Sequence, residues 1–175
     1  MQRLPAIDPS TATGETKKAL DAAEARLGNS PNVMRTIANS PVALRGYLAL
    51  DSVLTEGTLD ARFRAQIALA VAEANACCYC VTAHTAAGKL LGLDEATIRA
   101  ARDASSWDPK VAATLEFAHT VAEYRGDLTD EEFDRVRRAG YSNNEIAEII
   151  ANVVLNLFAN YFNSIARTEV DIPGE

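Results

Sequence analysis

The sequence predicts an all-α, single-domain protein, and three observations carry that expectation. Apolar residues recur at three- and four-residue intervals through most of the chain, and no segment shows strand-like alternation bounded by turns. Helix start signals and glycine stops alternate along it. Proline and glycine together number only 15 of 175 residues, against an apolar fraction of 48%. The length is enough for one domain with a true core.

Taken in order, residues 1–14 read as an irregular arm containing Pro5, Pro9 and Gly14, of the kind that packs on a neighbour or frays. The helical domain is expected over 15–170. Leu20, Ala23 and Leu27 make a modest stripe on a first helix that Gly28 ends. Ser30-Pro31 and Ser40-Pro41 each read as an N-cap followed by an N1 proline, opening helices near 31–38 and 41–55. A mostly buried helix starts at Leu59-Asp60, with Phe63, Ile67, Leu69, Ala70 and Val71 inward. The next helix runs to Leu90 or Leu91. Asp94 caps a short helix over 95–102, and Asp108-Pro109 starts one that ends before Gly126. Thr129 and Glu132 form a capping-box pattern. Ser142 or Asn143 caps a last long helix whose apolar residues cover so broad an arc that it must be central or lie in an oligomer interface. The count comes to about eight helices. Trp107, in the connection Ser105-Ser106-Trp107-Asp108, is expected to pack as an anchor.

Charge narrows the function. Lys plus Arg is 17 against 24 Asp plus Glu, a formal charge of -7 with no basic run. That argues against nucleic acid and anionic membrane as partners. No signal peptide and no transmembrane run is read, so a cytoplasmic location is expected. The three cysteines are clustered, which suits a redox-active or metal-binding pair better than a secreted disulfide framework.

The chemistry concentrates in Glu73-Ala74-Asn75-Ala76-Cys77-Cys78-Tyr79-Cys80-Val81-Thr82-Ala83-His84. On one continuous helix Glu73, Cys77, Cys80 and His84 would fall within roughly 60° of one face. Asn75 is a moderate helix breaker, and the alternative is a helix that stops near 74 and restarts by 77, which puts the pair at a helix N-terminus. Either arrangement is expected to leave Glu73 near the thiols. Zinc would need four ligands and is under-supplied, so neither metal nor cofactor is expected. A thiolate is the nucleophile. Helix position favours Cys77 as the more acidic thiol, whereas the nearness of His84, one turn on, favours Cys80 as attacker. A peroxide would convert one thiol to a sulfenic acid that the other condenses with, and an external dithiol would restore the pair. Glu73 and His84 would relay protons. Tyr79 and Gln66 are possible pocket residues, Gln66 being seven positions before Glu73. Cys78 reads as a buried or peripheral small hydrophobe and His119 as a packing or surface histidine. Asn160 and Asn163 interrupt the apolar last helix and need partners, at the site or at an interface.

The run from Ala70 to Thr85, with Ala139-Gly140-Tyr141-Ser142, the Glu145–Ile149 pattern and Asn163, resembles the carboxymuconolactone decarboxylase-like superfamily in its AhpD-like alkylhydroperoxidase branch. The resemblance is strongest over 40–166. It implies an AhpD-like helical fold, assembly into a homo-oligomer (dimer, trimer or hexamer) and thiol-dependent reduction of a hydroperoxide substrate without metal or haem. It implies that Cys80 is the peroxidatic thiol, Cys77 the resolving one, His84 a proton relay, and a dithiol or lipoyl-type protein the reductant. The sequence departs from the family pattern at Ala65, where a glutamate is usual, and at Tyr79, where a histidine is usual. The competing expectations are a protein or small-molecule disulfide oxidoreductase and a non-catalytic redox-sensing or metal-binding oligomeric module.

Overall fold

A computed structural model of the chain describes residues 2–172, and among these residues all regular structure is helical. Nine helices follow in order: α1 (Gly14–Leu27), α2 (Asn32–Ile37), α3 (Pro41–Leu54), α4 (Ala61–Ala74), α5 (Cys78–Leu90), α6 (Glu95–Arg102), α7 (Pro109–Glu123), α8 (Asp130–Arg138) and α9 (Asn143–Ala166). The start and stop signals taken one by one already mark these nine, so the expected count of about eight falls one short. Most starts are the ones the sequence marks. Asp60, Asp94 and Asp108 accept hydrogen bonds from the first free amides of α4, α6 and α7. Both halves of the capping box form at Thr129/Glu132 and at Ser142/Glu145. The exception is α2: Pro31 itself is the N-cap, one residue later than the Ser30-Pro31 signal indicates.

Helix α4 is the hub and packs against α5, α6, α7 and α9. Its far-side residues Ile67, Leu69, Ala70 and Val71 join α6 to α9 in one apolar cluster with Leu115, Phe117, Ile149 and Val153. A second cluster forms where α1, α2 and α3 fold over α5, and it contains Ala72, Cys77, Tyr79 and Cys80. The cysteine pair therefore lies inside a core rather than on a rim.

By length and composition α9 could cross a membrane. Its packing is that of a core helix: Ile146, Ile149 and Val153 are buried, and so are four asparagines, Asn152, Asn156, Asn160 and Asn163. Asn152 and Asn156 each donate to the carbonyl one turn back. The opposite face carries Ile150, Val154, Phe158, Tyr161 and Ile165, all exposed.

Residues 2–13 lie along the C-terminal end of α9 and along α2: Arg3 N–H donates to the Ala166 carbonyl at 2.7 Å and Ile7 N–H to that of Arg35 at 3.1 Å. Met1, placed with the arm by sequence, lies outside the described residues. At the other end the packed unit runs past the expected limit of 170, because Asp171 accepts from the Asn32 backbone N–H at 2.7 Å and Ile172 packs on the second cluster. Trp107 is no anchor: it stands 90% exposed.

Candidate functional site

The local fold of the site begins with how α4 ends. Ala76 takes a left-handed conformation, φ 48°. Its N–H donates to Glu73 O at 2.8 Å and that of Cys77 to Ala72 O at 3.0 Å, which is the Schellman arrangement. The chain turns there, and Cys77 at once becomes the N-cap of α5. Asn75 holds the corner: its amide donates to Val71 O at 2.8 Å and to Asn160 Oδ1 at 3.2 Å, tying the turn to α9.

This break redirects Glu73. Its phase is set by α4, and its carboxylate accepts from Arg102 Nε on α6 at 2.8 Å. It does not line the cavity beside Cys80 and His84, so the expectation that it stands with the thiols is corrected. Half-exposed on both sides, this ion pair is worth at most about 1 kcal/mol. Gln66 is corrected too. It bonds its own helix at the Arg62 carbonyl and faces a separate cleft with Thr58, Phe63 and Lys110.

Cys77 and Cys80 are brought together, their sulfurs 2.8 Å apart and both buried. Cys80 lines a cavity that Cys77 does not. That cavity, about 290 Å³, is walled mostly by apolar groups, among them Val33, Met34, Ala83 and Ile172, with Asn29, Tyr47, Tyr79, His84 and Asn163 among its polar members. The Asn163 amide donates to Cys80 Sγ at 3.3 Å. The Asn160 side chain, fully buried, also bears on this sulfur, and its amide nitrogen has no hydrogen-bond partner of full geometry.

The two thiols are electrostatically unequal. Cys77 is pulled down to about 7, first by the Cys80 thiol that shares a proton with it, against the opposing effect of burial. The backbone N–H groups of Cys80 and Tyr79 and the Ser164 hydroxyl add to the pull, as expected where free amides cluster at a helix start. Cys80 is pushed well above the ordinary thiol range by that same Cys77 interaction and by burial, while Asn163 and Asn160 oppose the shift. When the pair loses its first proton, the negative charge falls on Cys77 and the remaining proton stays on Cys80. A thiolate absorbance titration is expected to show a midpoint near 7 that is absent in Cys77→Ser. In Cys80→Ala the midpoint moves upward, because the group that contributes most to the lowering is gone. A midpoint unchanged in Cys80→Ala would refute the shared proton.

His84 lies one turn after Cys80 and lines the same cavity. Among the described residues it has no hydrogen-bond partner, and burial lowers its pKa to about 4. At neutral pH the ring is uncharged. The Tyr79 hydroxyl lines the cavity but is fully engaged, accepting from Val33 N–H at 3.1 Å and donating to Asp171 at 2.9 Å. Its pKa is raised, first by burial. It fastens α2 and the C-terminal segment over the pair and is no free acid. Cys78 is exposed. His119 is remote on α7, 3.5 Å from Glu123.

Two site residues escaped the sequence reading. Tyr47 of α3 faces Cys80 across the cavity, with burial holding its hydroxyl protonated. Ile172 closes one wall. Neither belongs to a motif, and only the folding of α3 and the tail over α5 brings them in. Among the described residues no group of three or more His, Cys, Asp or Glu could hold a metal ion.

Comparison with known proteins places this geometry. The model of the carboxymuconolactone decarboxylase family matches residues 41–130, which include α3 to α7 and the whole thiol stretch. Among curated proteins none matches in sequence. Among solved structures, the fold is similar to an alkylhydroperoxidase AhpD core, an uncharacterized peroxidase-related protein from Ralstonia eutropha JMP134 (TM-score 0.83, 22% identity, 97% of this chain and 92% of that one). It is similar to a peroxidase-related protein from Silicibacter sp. TM1040 (TM-score 0.80, 24% identity, 95% and 88%). It is also similar to the debrominase Bmp8 in complex with 2,3,4-tribromopyrrole (TM-score 0.78, 20% identity, 90% and 86%), so one fold serves more than one chemistry.

Proposed function

The chain belongs to the carboxymuconolactone decarboxylase family, with an AhpD-like fold, and from this premise we propose that it is a thiol-dependent hydroperoxide reductase. The observation that carries the reading is the asymmetric pair: an acidic thiol at a helix start, 2.8 Å from a second thiol that lines an apolar cavity.

The reaction begins with the shared proton moving from Cys80 to the Cys77 thiolate. The Cys80 thiolate so formed is held by the Asn163 amide and attacks the terminal oxygen of the hydroperoxide. The O–O bond breaks, Cys80 becomes a sulfenic acid, and the departing alkoxide takes the proton that Cys77 had received, with neutral His84 relaying it along the cavity wall. Cys77, again a thiolate, attacks the Cys80 sulfur, forming an internal disulfide and releasing hydroxide, which is protonated to water. In sum two thiols and one hydroperoxide give a disulfide, an alcohol and water. An external dithiol, of lipoyl type or carried on a protein, regenerates the pair by exchange. The cavity volume suits a small organic hydroperoxide. The reading places the protein in a reducing compartment such as the cytoplasm.

The exposed stripe of Ile150, Val154, Phe158, Tyr161 and Ile165 on α9, with Val42, Leu50 and Val53 on α3, supports a homo-oligomer, since a patch of this kind is unusual on a monomer.

The test is free-thiol content and peptide mass after one equivalent of an organic hydroperoxide. The expected result is loss of two of three thiols within seconds and a Cys77–Cys80 link. Three thiols surviving excess peroxide for minutes would end the reading. The likeness to a debrominase supports one other use of the same pair, reductive removal of bromine from a small aromatic ring, which bromide release would reveal.

A further inference from the structure

His84 has two sides. One faces the thiol cavity. The other faces a second cavity of about 470 Å³ between α1, α3, α4 and α9, with which the first shares Leu27, Tyr47 and His84 as common wall. The charged groups of this second cavity are Arg26, Asp51 and Arg64. Arg26 and Asp51 satisfy each other: Arg26 Nε bonds the Asp51 carboxylate, and its Nη2 donates to the Asp51 carbonyl at 3.1 Å. Arg64 has no such partner. Its Nε is buried without any hydrogen-bond acceptor, and among the described residues its guanidinium makes no ion pair. Leaving that one buried N–H unmet costs on the order of 1–3 kcal/mol, which an acceptor placed in the cavity would recover. Ala65, the residue next to Arg64, lines the same cavity with a methyl group only. The Tyr47 hydroxyl, held protonated by burial, is a further donor with no hydrogen bond among the described residues.

We propose that this second cavity is a binding site for a small organic carboxylate, with Arg64 as its cation and the Tyr47 hydroxyl as its second donor, placing an anion against the face of His84 that points away from the cysteines. With Arg26 and Asp51 cancelling, the cavity holds one uncompensated positive charge, which matches a monoanion and not a phosphate dianion. The planar guanidinium fork pairs best with a planar carboxylate. The apolar remainder of the wall, Leu27, Leu91 and Leu155, suits an acid with a hydrocarbon body. The site itself stands apart from the peroxidase reading. That reading enters only in saying that the carboxylate is the acid end of a substrate or a separate acid.

The experiment is calorimetric titration of the reduced protein with benzoate at fixed ionic strength, with benzamide as the neutral control. Saturable binding of benzoate and none of benzamide is expected. Arg64→Gln should weaken it at least about tenfold, the cost of one charge-assisted pair. Ala65→Glu, which supplies an internal carboxylate beside Arg64, should abolish it, and thermal melts of both variants check that they fold. Equal binding of benzamide, no saturation at tens of millimolar benzoate, or unchanged affinity in folded Arg64→Gln overturns the proposal. Absence of binding would also follow if a second copy of the chain supplied the missing carboxylate, and that outcome counts against the site equally. No hydroperoxide is present, so failure here leaves the peroxidase reading standing, and the reverse holds. Where turnover is observed, an aryl hydroperoxide bearing a carboxylate is compared with its methyl ester. Benzoate raising KM for the acid alone assigns the site to the substrate's own acid. Unchanged KM with binding intact assigns it to a separate acid.

Discussion

Cys80→Ser is expected to lower hydroperoxide turnover by at least about 10³-fold, because it removes the sulfur that lines the cavity and leaves Cys77 without the partner it needs to close a disulfide. Cys77→Ser is expected to behave differently. It should consume a single equivalent of hydroperoxide and stop with Cys80 as a sulfenic acid, which a dimedone adduct would reveal by mass. Its first turnover should also be slower by about 10²-fold, since a serine hydroxyl cannot accept the Cys80 proton as the Cys77 thiolate does. The rate of that first step in the wild type should rise through pH 7 with the Cys77 thiolate. Glu73→Gln serves as the geometric control. With its carboxylate engaged by Arg102 on α6, the change should hold the rate within about twofold. Full turnover in Cys80→Ser would refute the assignment of the nucleophile. A large loss in Glu73→Gln would mean that the carboxylate reaches the thiols during the reaction.

The second large effect is on stability. His84 titrates near 4 in the folded chain, against an ordinary value of 6.5. Between those values the unfolded chain binds a proton that the folded chain does not. Stability therefore falls as pH drops from 6.5 towards 4 and levels off below, full benefit being present above 6.5. A shift of this size corresponds to about 3 kcal/mol as an upper figure, reduced by whatever solvent reaches the half-buried ring. Carboxylates protonate over part of the same range, so the measurement is the difference between wild type and His84→Gln. Urea unfolding at pH 7, 6, 5 and 4 should show wild type losing stability relative to the variant by that amount. Parallel pH profiles would show that the imidazole is not buried uncharged.

How much was legible in the sequence can be argued from single residues. Cap signals act over three or four residues, so Asp60, Asp94, Asp108, Thr129 and Ser142 marked helix starts correctly without any tertiary information. The C-x-x-C spacing guaranteed that Cys77 and Cys80 would meet, since three residues within one helical turn cannot be far apart. His84 was likewise bound to share the face of Cys80. Glu73 failed for a local reason that one residue decides. The left-handed Ala76 ends the phase of α4, and a rule of 100° per residue does not carry across it. Trp107 failed because a large aromatic in a connection packs only if a neighbour is there to receive it, and none is.

By itself, then, the sequence determined the all-helical class, the helix ends and the thiol pair with its histidine, all of which follow from interactions within one or two turns. Only the tertiary structure decided which cysteine lines the cavity, that Tyr47, Asn163 and Ile172 complete it, and that Arg64 Nε finds no acceptor among the described residues. Those facts depend on α1, α3, α9 and the tail meeting over α5 from positions far apart in the chain. Burial and the pairing of charges are properties of that meeting, and no local pattern encodes them.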